Sequence, residues 1–242
     1  MKFTNKNYPK TTASSSEDYF RLKKLYENNP FEIEIIENEL WNFLVGKEAN
    51  SDFIENFKTY EFIDHGWEWS VFKFSVSKVI KIPSGIFEEV NSLVYLNNVR
   101  KNYQKISEIF PKKNFAESEF KKETNLNRIF QEYIPSSNNF YTTPEFVINL
   151  VEFILTLLQF LKIHSWIPDI EIRIEDEKLL LRNILIQNNS PVIYDFSTYY
   201  DVFRLYPERT EKEVIEKTKE LNEAVSILKN LKGKQVMISY IR

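Results

Sequence analysis

Residues 183–197 read Asn183-Ile184-Leu185-Ile186-Gln187-Asn188-Asn189-Ser190-Pro191-Val192-Ile193-Tyr194-Asp195-Phe196-Ser197. Two apolar runs stand on either side of a polar turn, the pattern of two short strands joined as a hairpin. Such a hairpin returns the chain on itself. Asn183 and Asp195, twelve residues apart, are then carried to the same end. An amide oxygen and a carboxylate held together suit a hard divalent cation such as magnesium, which keeps its other positions for water and phosphate oxygens. Each residue alone also has an ordinary reading, since Asn is common in turns and Asp at strand ends.

Upstream, Thr143-Pro144 predicts a helix start, because Thr caps free amides and Pro fits the first turn. The helix it opens, through Phe146 to Ile163, approaches the length of a membrane span. Asn149, Glu152, Thr156 and Gln159 recur along it at helical spacing and make a polar stripe, which fits a helix buried in a core. Three apolar runs follow, IEIRI, LLLRNILI and PVIYDF, each bounded by polar residues. Thr210 and Glu213 predict a capping box before a last helix to about Leu231, with Gly233 beyond it. In the first half, residues 61–83, EFIDHGWEWSVFKFSVSKVIKIP, alternate apolar and polar and are rich in Val, Ile, Phe and Trp. That pattern predicts consecutive strands. Helical periodicity runs from Phe87 to Ile109, and NRIFQEYIP reads as a strand entering a Pro-Ser-Ser-Asn loop. Residues 1–58 read as a helical extension, with Ser14 and Glu17 capping a first helix and a second helix from Phe31 to Val45 before Gly46.

The order of these elements, and the residues at their junctions, resemble the protein-kinase family. Asn183 and Asp195-Phe196 are similar to the catalytic-loop Asn and the metal-binding D-F-G, and Lys78-Val79-Ile80-Lys81 to the V-A-I-K strand. Gly66 and Val71 match the second glycine and the valine of the glycine-rich loop, while Asp64 and Trp69 stand where the other glycines would be. Glu88, or its neighbour Glu89, is placed to pair with Lys81. Gln131-Glu132-Tyr133-Ile134 resembles the strand running into the hinge, where backbone groups of Glu132 and Ile134 would bond the adenine edge. The resemblance covers residues 60–200, and no A-P-E element follows it. It implies an α+β, two-lobed protein-kinase-like fold: a small antiparallel-sheet N-lobe over 59–134, a reduced helical C-lobe over 135–242, and the extension 1–58. It also implies ATP and Mg2+ as cofactors, Asn183 and Asp195 as metal ligands, and Gly66, Val71, Lys81, Glu132 and Ile134 around the nucleotide.

The catalytic base is where the sequence departs from the pattern. The kinase loop places an Asp five residues before the Asn, and here that position is Lys178. One reading lengthens the loop by two residues and makes Asp176 the base, delivered by the strand IEIRI. A second has no carboxylate in reach and leaves a nucleotide-binding pseudokinase. Asp169, after Pro168, is a third candidate, with a turn after the long helix as its ordinary role. The implied activity is transfer of phosphate from ATP, with an atypical protein Ser/Thr kinase foremost. A small-molecule kinase and a pseudokinase stand beside it, since fold does not choose among them. An H-x-D motif of the aminoglycoside-kinase type is absent from the sequence.

Composition narrows the classes. With 43% hydrophobic and 15% aromatic residues among 242, the chain has material for a sizeable core. A net charge of -3 provides no basic field for nucleic acid or acidic membranes. The absence of cysteine removes disulfides and thiolate catalysis, and two histidines, His65 and His164, are too few and too far apart in sequence to suggest a metal pair. The N-terminus has no apolar segment of the secretory type, so a cytoplasmic protein, with a protein substrate and no nucleic-acid or membrane partner, is the expectation.

Overall fold

The computed structural model describes residues 61–65, 68–83, 93–123, 126–135, 141–164, 168–196, 207–231 and 233–240. The expected extension over 1–58, Gly66, Glu88 and Glu89 lie outside them. The chain divides into two compact units, one reaching to Leu96 and including Glu119–Gln131, the other formed by Asn97–Ser118 and the chain from Glu132 onward.

The first unit is built on a five-stranded sheet. Strands β1 (Glu61–His65), β2 (Trp69–Lys73) and β3 (Lys78–Pro83) are followed by helix α1 (Leu93–Ile109), then β4 (Ser118–Glu123) and β5 (Leu126–Glu132). The sheet order is β1-β2-β3-β5-β4, so β3 is the central strand. β1 pairs with β2 and β2 with β3, both antiparallel, with a register shift between Phe62 and Asp64. An antiparallel sheet can leave one face to water, but here β3 is covered on both. Val79, Ile80, Ile82 and Lys81 are all buried, which excludes the amphipathic strand with a solvated lysine that KVIK alone would permit. Trp69 packs against Tyr95, and Phe74 meets Phe130 edge to face at 5.2 Å.

The second unit gathers most of α1, a 3₁₀ turn (Lys112–Asn114), helix α2 (Pro144–Ile163), strands β6 (Glu171–Glu175), β7 (Lys178–Arg182), β8 (Ile184–Gln187) and β9 (Ser190–Ile193), helix α3 (Pro207–Asn230) and β10 (Met237–Tyr240). Thr143 caps α2 as its sequence predicts, its Oγ1 accepting from the Phe146 N–H at 3.1 Å. Phe146, Leu150, Phe153, Ile154, Leu157, Leu158, Phe160 and Leu161 form its buried face. That face packs on α3 and β9. Among the described residues α2 is the one helix long and apolar enough to cross a membrane by length and composition. Helix α3 begins at Pro207, three residues before the expected cap at Thr210, because proline is itself a good first residue of a helix.

The apolar run LLLRNILI does not form one strand. It breaks at Asn183, whose φ of +56° is a left-handed conformation that Asn tolerates better than most residues. The break sends β7 and β8 into different sheets. β6, β7 and β10 make a three-stranded sheet in the order β10-β7-β6, with β10 parallel to β7, and β8 and β9 make a separate antiparallel hairpin.

Candidate functional site

The β8–β9 hairpin is closed by Asn188-Asn189, both at positive φ (+49° and +57°). This two-residue turn matches the twist of the flanking strands. Its register pairs Ile184 with Ile193 and Gln187 with Ser190. Asn183 precedes the first strand and Asp195 lies two residues past the second, so both stand at the open end.

At that end Asn183 is fastened to Asp169. Its Nδ2 donates to the Asp169 carbonyl oxygen at 2.7 Å and to Asp169 Oδ2 at 3.2 Å. On its other side the Tyr194 hydroxyl donates to Asn183 Oδ1 at 3.5 Å. Burial pushes the Asp169 carboxyl above its ordinary pKa; the Arg182 guanidinium opposes the shift and the nearby Asp195 carboxylate adds to it. Tyr194, bonded to Asn183, directly precedes Asp195, so Asp195 and Asp169 flank the same asparagine. Asp169, Asn183 and Asp195 together offer carboxylate and amide oxygens, a donor set that fits a hard divalent cation.

Asp176 is elsewhere. β6 and β7 form an antiparallel hairpin with register Glu171↔Arg182 through Glu175↔Lys178, and Asp176-Glu177 is its two-residue turn, with φ of +49° and +60°. Asn183 follows the open end and Asp176 sits at the closed tip, a separation of roughly 15 Å at the rise of a strand. The expected pairing of Asp176 with Asn183 is therefore not found. Asp169, fourteen residues before Asn183, is the carboxylate that the fold brings to it. Two alternating runs separated by two polar residues are a hairpin signal that the reading of IEIRI as a strand delivering its end overlooked.

Phe196 is 2% exposed. The Tyr103 ring meets it edge to face at 5.0 Å, and Asn102 Nδ2 donates to its carbonyl at 3.3 Å. Both partners come from α1. They hold the chain next to Asp195.

At the expected hinge, the Glu132 N–H donates to the Glu117 carbonyl at 2.8 Å, so that donor is engaged. Its carboxylate accepts from the Glu117 N–H and from Gln187 Nε2, each at 3.4 Å. Ile134 is buried with Ala116 and Val192, and Leu185 and Tyr194 pack against them. This apolar cluster adjoins the same hairpin that carries Asn183 and Asp195. In the first unit, Val71 and Lys81 are cross-strand partners on β2 and β3, so their side chains leave the same face. Lys81 is 5% exposed, which for a lysine requires a partner.

No family model and no curated protein matches the sequence. Solved structures do match. The Legionella pneumophila Lpg2603 kinase bound to IP6 superposes with a TM-score of 0.51 at 13% identity, over 71% of this chain and 61% of that one. The chain thus corresponds to about three-fifths of that kinase's length. A gentamicin–APH(2″)-IIa complex matches with a TM-score of 0.39 at 10% identity, over 76% of this chain and 97% of that one. At 13% identity the likeness to the Legionella kinase is one of fold, and the fold is protein-kinase-like.

Proposed function

We propose that this protein-kinase-like chain is an ATP- and magnesium-dependent phosphotransferase in which Asp169 is the catalytic base, Asn183 and Asp195 hold magnesium, and Lys81 binds phosphate. Asp169 takes the role that sequence counting assigned to Asp176. One observation carries the reading: the Asn183 amide holds Asp169 at the open end of the hairpin that also presents Asp195. A base and two metal ligands in that relation are what phosphoryl transfer needs, since its catalysis is mainly positioning and charge stabilisation.

Asp169 accepts the proton of an acceptor hydroxyl as the acceptor oxygen bonds to the γ-phosphorus. The bond from that phosphorus to the β–γ bridging oxygen breaks, and ADP leaves. Magnesium, when bound, neutralises phosphate charge. The Asn183 bond to Oδ2 orients the Asp169 carboxylate, its bond to the Asp169 carbonyl anchors the backbone there, and Tyr194 fixes Asn183 in turn. In the role the family resemblance implies, Val71 serves the nucleotide from the first unit, while in the second unit Ile134 and Leu185 supply apolar surface and Glu132 and Ile134 backbone groups for the adenine. A protein Ser/Thr side chain is the acceptor favoured by the family resemblance.

The test is Asp169→Asn. The amide keeps the shape but does not take up a proton at neutral pH, so transfer should fall by roughly two to four powers of ten, with Mg-ATP affinity by calorimetry held within a few-fold. Asp176→Asn, at an exposed turn, should transfer like wild type. The reverse pattern in the two variants would restore Asp176 and remove Asp169.

A further inference from the structure

A partly exposed cation, in two long ion pairs, stands next to the proposed base. Arg182 Nη1 lies 3.9 Å from Asp169 Oδ1 and 3.8 Å from Glu171 Oε2, too far for hydrogen bonds, and its side chain is 39% exposed. No hydrogen bond engages its N–H donors among the described residues. Its neighbour on the same face of the hairpin is different: Arg173 is taken up by two carboxylates, with Nε on Glu171 and Nη1 on Glu175 at 3.0 Å.

Arg182 sits across from Glu171 in the β6–β7 register, while Leu181 and Ile172, one residue along each strand, are fully buried on the other face. The guanidinium is therefore kept on the outward side, immediately before Asn183. The two oxygens of Asp169 separate its surroundings. Oδ2 receives the Asn183 amide, toward the proposed metal ligands, and Oδ1 faces Arg182. In-line transfer puts nucleotide and acceptor on opposite sides of the moving phosphoryl group. With the metal-bound phosphates on the Asn183 side, the acceptor belongs on the side of Arg182.

We propose that Arg182 is an acceptor-recognition residue, and that the acceptor carries an anionic group, a carboxylate or phosphate, within reach of the hydroxyl it presents to Asp169. Guanidinium donors are well matched to such groups. This rests on the phosphotransferase reading above. Two acceptor sources share the chemistry, an acidic peptide and a small phosphorylated polyol.

The experiment compares kcat and KM for acceptors that differ in charge alone: one Ser peptide flanked by Asp, Ala or Arg, and glucose against glucose 6-phosphate. Wild type should prefer the anionic member of one set, and the set that responds identifies the source. Arg182→Gln should raise KM for that acceptor by roughly 10- to 100-fold, the worth of one charge-assisted contact, with KM for Mg-ATP held within a few-fold. Arg182→Lys should recover part of the loss. A preference for neutral or cationic acceptors, or an equal loss on all acceptors in Arg182→Gln, overturns the proposal. Mg-ATP binding without transfer to any member overturns the subsite and leaves the nucleotide site standing. Absence of Mg-ATP binding by wild type instead overturns the phosphotransferase reading.

Discussion

Replacing Asn183 separates its two local duties, the left-handed backbone and the tether to Asp169. Asn183→Gly removes the side chain and leaves φ of +56° unstrained. The loss is one hydrogen bond to a carbonyl at 2.7 Å, a longer one to a carboxylate at 3.2 Å, and the marginal one accepted from the Tyr194 hydroxyl at 3.5 Å. The site is half-buried, so about 1–3 kcal/mol is expected. Asn183→Ala loses the same bonds and adds a side chain that disfavours this region by about 1–2 kcal/mol. Alanine should therefore be the less stable variant by that margin. Asn183→Asp keeps an oxygen for metal but loses the donor and sets a second carboxylate against Asp169. Urea unfolding midpoints at constant slope measure the order, and for a chain of this length each kcal/mol corresponds to about 2–4 °C in Tm. Equal stability of the Gly and Ala variants would refute the strained turn. Wild-type stability in both would refute the tether itself.

Phe196→Ala should cost about 3–5 kcal/mol, because the ring is 2% exposed and packed on Tyr103; a cost below 1 kcal/mol in unfolding would show that α1 does not anchor the segment beside Asp195. Stability should also fall in mild acid through His164. Burial and Lys105 lower its pKa while Glu108 raises it, and its Nε2 has no hydrogen-bond partner among the described residues. With the folded pKa below the unfolded value near 6.5, the unfolded chain binds the proton first, so Tm drops as pH falls below about 6.5 until the folded pKa is passed. His164→Phe should flatten that part of the Tm–pH curve, and an unchanged slope would exclude the histidine as its source.

Local chemistry made much of this protein legible before folding. Thr143-Pro144 starts a helix because its cap and fixed φ act within one turn. The β8–β9 hairpin could be read because strand alternation and a polar turn act over a few residues, and it sufficed to bring Asn183 and Asp195 to one end. The KVIK strand was legible as a strand, while its burial on both faces depends on what packs against the sheet, which no local pattern carries. The identity of the carboxylate beside Asn183 belonged to the tertiary structure. Counting along the chain favours Asp176, seven residues away, because strand periodicity does not say whether a strand delivers its end or folds back. The β6–β7 register removes Asp176 to a tip, and β10, more than fifty residues downstream, pairs in parallel with β7 to complete that sheet. What returns Asp169 to Asn183 is a side-chain amide spanning fourteen residues, a contact that exists only once the hairpin between them has closed.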